Sequence, residues 1–338
     1  MTGAGPFVPF ACTERGGIAE SHHYGVAVIA DASGRRHASW GDPDFVTFPR
    51  SALKPFQAVD LIESGAFDAF ALTSEHRALA CASHYGEPFH AERVSAWLTA
   101  IGCGEDQLAC GPALPGRPEL AAAHLRAGRA PSTILHNCSG KHSGFLTNAR
   151  HCGCALEGYE RPDHPLQQRY RAVLSRYLGA PAEALLWSRD DCTLPAPALS
   201  VHAMATAAAR FLEEANSGAD APPARILGAM REHPLLVAGT GGVPQALGEV
   251  VAGSVITKTG AEGYLVAFLP SAGLGLALKV ADGNARARGA ALAAVLRQIG
   301  LIDESGAIQL LDRLAPAFVD SRHQLVGRIR PALPIAAG

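Results

Sequence analysis

A chain of 338 residues can bury a substantial core, and 48% apolar against 18% charged residues describes a water-soluble globular protein. The formal charge of −2 gives neither nucleic acid nor an anionic membrane an electrostatic hold, and no apolar run approaches the length of a bilayer span. The first residues, MTGAGPFVPF, lack the basic start and apolar stretch of a secretory signal, so a cytoplasmic protein with its eight cysteines reduced is expected. Residues 1–14 read as poorly ordered. Gly25–Ala30 and His37–Trp40 read as two strands of a hairpin around Asp31-Ala32-Ser33-Gly34, leading into a sharp turn at Pro49-Arg50-Ser51. Helices are expected over Thr73–Ala82 and Pro88–Ile101, the latter with proline in its first turn and Gly102 past its end. The middle, about 88–235, is mostly helical, near 117–128, 141–151, 165–178, 197–215 and 223–232. Ser254–Thr259, Tyr264–Leu269 and Leu274–Val280 then read as an antiparallel meander, followed by an alanine-rich helix over about 284–299. The proline-containing final residues read as a surface segment. Strands at both chain ends around a helical middle predict a single α/β domain of α+β type. Its sheet is mainly antiparallel and built from both ends of the chain.

Lysine usage singles out the chemistry. Of 29 basic residues only Lys54, Lys141, Lys258 and Lys279 are lysines; the rest are arginines. A position that keeps lysine is a candidate for what arginine cannot do, namely give up its proton or offer a lone pair. Ser51-x-x-Lys54 lies at a strand-to-helix turn, where an i, i+3 pair shares one helix face. The helix start favours negative charge developing on the serine, and a lysine relieved of its proton is a general base. Lys258-Thr259-Gly260 falls in a strand of the meander. S-x-x-K with a later K-T-G strand resembles the signature of class A β-lactamases and penicillin-binding proteins. The middle element of that signature, S-D-N, has only Ser83-His84-Tyr85 as its counterpart. The scaffold therefore resembles the serine penicillin-recognising enzymes with a rebuilt site.

A second constellation is Cys138-x-x-Lys141 with Cys192, each within a polar segment. Two thiolates anchor a soft divalent ion such as zinc, with His136, His142 or Asp190 available to complete the shell. The bland alternative treats these cysteines as small buried hydrophobes. Cys152-Gly153-Cys154 reads as structural.

The segments PRSALKPFQAV, ALACASH, HNCSGKHSGF, DDCTLPAPALS, HPLLVAG, TKTGAEG and KVADGN resemble, in order and from about residue 14 to 300, the asparaginase II-type family of class 3 L-asparaginases. The resemblance implies a fold similar to serine β-lactamases and serine-dependent glutaminases, a homodimer, and hydrolysis of L-asparagine to L-aspartate and ammonia. It implies two Ser–Lys tandems, Ser51 with Lys54 and Ser83 with Lys258. It also implies a Zn2+ held by Cys138, Lys141 and Cys192 with a water. Arg50, Asp190 and His142 are the candidate substrate-binding residues. A neutral lysine as ligand agrees with the retained-lysine argument, because only an unprotonated amine binds a metal. The expected chemistry is acyl transfer: Ser51 attacks the side-chain amide, Lys54 takes its proton, and Ser83 with Lys258 moves a proton to the leaving ammonia. The rivals are a glutaminase or penicillin-interactive hydrolase on the same scaffold, and a non-catalytic zinc-binding protein. Zinc is expected to position the substrate and not to generate hydroxide, since a serine nucleophile makes a second nucleophile redundant.

Overall fold

The computed structural model describes residues 5–315 and 317–334, which form two compact units. The first comprises 1–52, 199–213 and 241–338, and the second 53–198 and 214–240. Among the described residues no helix is long and apolar enough to cross a membrane.

The first unit is built on one antiparallel sheet. Its strands run in the order Phe318–Val319, Leu325–Pro331, Val8–Arg15, Ile18–Ala30, Leu274–Val280, Tyr264–Leu269 and Ile256–Thr259, with Arg36–Trp40 also paired to Ile18–Ala30. Both chain ends thus enter one sheet, as the order of strand-like runs predicts. Tyr264–Leu269 is buried along its whole length. Leu265, Ala267 and Leu269 join a core with Leu292 and Leu296 of the Arg286–Gln298 helix, while Phe268 meets Phe211 at 5.3 Å between ring centroids. A strand covered on both faces reads as a continuous apolar run, which is why YLVAFL shows no alternation. Gly275 lets the Val201–Ala215 helix approach, since a Cβ there would collide with the Ala205 carbonyl.

Two expectations for the chain ends need correction. Val8–Arg15 is not poorly ordered. It pairs on one side with Ile18–Ala30 and on the other with Leu325–Pro331, with Phe10 and Ala11 fully buried. Pro9 is tolerated because the register shifts between Pro9 and Ala11, so the missing N–H falls at an irregularity. Of the expected disorder, residues 1–4 lie outside the described residues. The proline-containing C-terminal segment likewise supplies a strand. Two helices, Val243–Val251 and Glu304–Leu314, were not anticipated.

The second unit is helical and centred on the Ser139–Cys152 helix. Every residue from Ser139 to Ala149 is buried, although Lys141, His142, Ser143, Thr147 and Asn148 are polar. A helix enclosed all round is normally apolar all round. This one instead gives most of its polar side chains partners, in its own turns or on neighbouring helices. Ser143 and Thr147 bond back to the carbonyls of Ser139 and Ser143, Trp97 Nε1 donates to Thr147 Oγ1 at 3.0 Å, and Asn148 Nδ2 donates to Asp60 Oδ2 at 2.5 Å. Helices Val59–Glu63, Ser74–Ala80, Pro88–Ala100 and Pro165–Leu178 surround it. A short hairpin, Trp187–Arg189 with Pro195–Pro197, carries Cys192 in its turn.

Candidate active site

The turn that begins the site is a 3-10 helix over Arg50–Leu53, followed by the helix Lys54–Gln57 with Pro55 in its first turn. Arg50 has φ of +50°, a left-handed conformation that a residue with a Cβ rarely adopts. Within the first unit, Gly260 of the Lys258-Thr259-Gly260 run packs on this turn, because a Cβ at 260 would collide with the Pro49 carbonyl. That is the physical reason for a glycine after Lys-Thr. Lys258, on the strand Ile256–Thr259, is 1% exposed, and its Nζ donates to the Thr259 carbonyl at 2.7 Å.

Lys54 is fully buried in the second unit. Its Nζ donates to the Ala82 carbonyl, to Ser83 Oγ at 2.9 Å and to the Asn137 carbonyl at 3.4 Å. Desolvation is the main force lowering its pKa from the ordinary 10.5; Cys138 pulls the other way, and Lys141 adds to the lowering. Two of the three acceptors are carbonyls that only accept. The third is a hydroxyl that can donate back once Lys54 is neutral, so the pair has the geometry of a base and its proton partner. Ser83 is held in extended chain after the Ser74–Ala80 helix: its N–H bonds the Val237 carbonyl at 2.9 Å, and those of His84 and Tyr85 bond Asn137 and Ala238.

His84 is a buried neighbour that motif reading missed. Its Nδ1 accepts from the Gly86 N–H, so its Nε2–H donates to Ser139 Oγ at 2.9 Å, and Ser139 donates onward to the Ile134 carbonyl. Burial holds its pKa well below 6.5, aided by His90 stacked at 4.8 Å and by Lys54. Only its short spacing from Ser83 hinted at it.

Cys138, Lys141 and Cys192 meet in the same unit. Cys138 is the N-cap of the Ser139–Cys152 helix and Lys141 lies in that helix's first turn. Lys141 Nζ is 2.8 Å from Cys192 Sγ. Gly140 makes the placement possible, since a Cβ there would collide with the Leu79 carbonyl of the Ser74–Ala80 helix. The Cys192 thiol's hydrogen bond, followed by the charges of Lys141 and Lys54, lowers the Cys138 pKa well below 9.0 against the effect of burial. Cys192 is raised by that same bond and by burial. Burial opposes the charge on Lys141, but Cys138, Cys192 and Asp190 together outweigh it and raise its pKa. Among the described residues no three His, Cys, Asp or Glu side chains are grouped to hold a metal. The cluster offers two sulfurs and one nitrogen, so lysine must count as a donor. That soft set suits zinc in chemistry, provided Lys141 and Cys192 lose their protons.

The remaining candidates fall in different settings. His142 is fully buried, with Nδ1 2.6 Å from the Tyr159 hydroxyl, which accepts from the Ala109 N–H. Its Nε2 has no hydrogen-bond partner among the described residues. Asp190 opens the Cys192 turn, its N–H bonding the Leu194 carbonyl and its carbonyl accepting from the Thr193 N–H. Cys152 and Cys154 sit at the end of the Ser139–Cys152 helix around the left-handed Gly153, and all eight cysteines are free thiols.

The model of the L-asparaginase II family matches residues 11–331, nearly the whole chain. Among curated proteins none matches significantly. Similar solved structures include the protein Mglu, 14% identical with a TM-score of 0.45, covering 82% of this chain and 67% of that longer one. Others are a putative β-lactamase from Bacteroides dorei, 13% identical with a TM-score of 0.41 over 76% of this chain and 84% of that one, and a β-lactamase from Mycobacterium bovis, 13% identical with a TM-score of 0.37 over 81% and 94%. On the family match, the chain belongs to the L-asparaginase II family.

Proposed function

We propose that the protein hydrolyses L-asparagine to L-aspartate and ammonia through a serine-bound acyl-enzyme. The family match supports an amidohydrolase. The observation that carries the finer reading is the buried, pKa-lowered Lys54 amine 2.9 Å from Ser83 Oγ. In this reading Ser51, three residues ahead of Lys54, attacks the side-chain amide carbon and gives its proton to Lys54 Nζ. The Ser83 hydroxyl passes a proton on to the leaving nitrogen, which departs as ammonia, and water then deacylates the serine. Lys258 keeps the role of second lysine that the resemblance implies. Arg50, Asp190 and His142 are proposed to grip the amino acid.

Cys138, Lys141 and Cys192 would hold zinc, which when bound supplies fixed positive charge for orienting the substrate. The serine and the lysines carry the bond-breaking. A cytoplasmic homodimer completes the proposal. The test measures ammonia release by the purified protein from L-asparagine and from L-glutamine, beside hydrolysis of a chromogenic cephalosporin. Turnover is expected with L-asparagine foremost. Preference for glutamine or the β-lactam would replace the substrate, and no turnover of any would leave only the binding reading.

A further inference from the structure

The second unit contains a cavity of about 490 Å³ lined by the Trp187–Arg189 and Pro195–Pro197 hairpin, the Pro165–Leu178 helix and the loop before it. Three arginines line it, Arg161, Arg171 and Arg189, with Glu160 as the one acidic residue among the lining. Some arginines elsewhere in this unit are matched to acids, as Arg93 is to Glu75, Arg169 to Asp60 and Arg225 to Asp68. The three here are not. Arg189 Nε bonds the Thr193 carbonyl at 3.3 Å, and Arg171 Nε is buried with no hydrogen-bond partner. None of the three makes an ion pair among the described residues. Arg171 is nonetheless fixed in place, its guanidinium carbon 4.5 Å from the centroid of the Trp187 ring. Trp187 is itself held, with Nε1 donating to the Ala182 carbonyl at 2.8 Å and Tyr170 packed edge-on at 6.1 Å.

An arginine stacked on an aromatic ring has lost most of its rotamer freedom before any ligand arrives, and its planar fork matches two oxygens of a carboxylate or phosphate. Convergent, unpaired guanidiniums around a concavity are otherwise a net electrostatic cost through mutual repulsion. We propose that this cavity is a binding site for a small oxyanion carrying two negative charges, separate from the Lys54–Ser83 and Cys138–Lys141–Cys192 groups. Phosphate and a short dicarboxylate share that chemistry. The occupant would lie against the hairpin whose turn holds Cys192.

Trp187 provides the readout. Trp40 and Trp97 are almost fully buried, whereas Trp187 is partly exposed at the cavity. Tryptophan emission is titrated with sodium phosphate and, separately, with sodium succinate, at ionic strength held constant with sodium chloride. The site predicts a saturable change with at least one anion and at least a tenfold weaker half-saturation in Arg171→Gln. Trp187→Phe should remove the signal. If Arg171→Gln does not fold, Arg161→Gln, at an exposed position, serves in its place with the same expected weakening. Phosphate alone active would identify a phosphate site, and succinate alone a dicarboxylate site. No saturable change beyond the chloride control with either anion would overturn the proposal. So would an unchanged half-saturation in the arginine variant.

Discussion

At the scale of single residues, two of the four retained lysines meet the side chains expected of them in kind, Lys54 a serine hydroxyl and Lys141 a cysteine sulfur. Another shows where residue-level reading stops. Lys279 lies in Leu274–Val280, where arginine would be neutral if the residue stood on an exposed strand face. It is 7% exposed, and its Nζ donates to the carbonyls of Glu262 at 2.5 Å and Val280 at 2.6 Å, tying down the Ala261-Glu262-Gly263 turn that leads into Tyr264. A guanidinium is wider and forks differently, so Lys279→Arg should destabilise the fold by about 1–3 kcal/mol, from overpacking and an unsatisfied carbonyl. Denaturant unfolding checks this; an unchanged midpoint would mean the pocket tolerates arginine. Lys54 adds a chemical loss. There, at a fully buried position bonded to two carbonyls, the same exchange should cost at least as much stability and also remove the base, because a guanidinium does not give up its proton.

Elements show how the site is held and how it responds to acid. The Ser139–Cys152 helix reaches the Ser74–Ala80 helix only because residue 140 has no side chain. Gly140→Ala should therefore cost about 1–3 kcal/mol and, if Cys138, Lys141 and Cys192 hold zinc as proposed, lower metal content along with turnover, read by thermal unfolding and elemental analysis. Full stability with full metal content would contradict that packing. The Pro88–Ala100 helix carries a titratable cap. His90 Nδ1 accepts from the Glu87 N–H at 3.2 Å, Nε2–H donates to the Leu235 carbonyl at 3.0 Å, and burial lowers its pKa from 6.5 to about 4. Above pH 6.5 neither the folded nor the unfolded state binds the proton. Between 6.5 and 4 the unfolded chain takes a proton that the folded one refuses, so stability falls as pH drops, by about 3 kcal/mol in all, and then levels. His90→Gln keeps an acceptor at the same capping position and removes the titration. Its stability should decline less between pH 6.5 and 4 than that of the wild type, and parallel curves would rule out His90 as the cause.

At the scale of the whole molecule, the meander and most helices were legible because their signals are local. Tyr264–Leu269 and Leu274–Val280 have the bounds that their apolar runs predict. The strand Val8–Arg15 was not legible, because its partner Leu325–Pro331 lies some three hundred residues away and Pro9 reads as a breaker. The Lys54–Ser83 contact was hidden for a related reason: spacing relates Ser51 to Lys54, but only the fold brings residue 83 to residue 54. The Cys138–Lys141–Cys192 group was visible as polar cysteine segments, and lysine as a candidate donor followed only from the family resemblance. If Cys138, Lys141 and Cys192 hold zinc that positions the substrate, Cys138→Ser should lose the metal and raise KM more than it lowers kcat, measured by elemental analysis and steady-state kinetics. A collapse of kcat at unchanged KM would contradict the positioning role. The central claim is that a buried, proton-releasing Lys54 drives serine-based amide hydrolysis. Its most direct test is kcat for ammonia release from L-asparagine, measured in parallel for the wild type and Lys54→Arg with matched circular dichroism spectra. The account predicts turnover by the wild type and a loss of about a thousandfold or more in the folded variant. A folded Lys54→Arg protein that releases ammonia at the wild-type rate would contradict it.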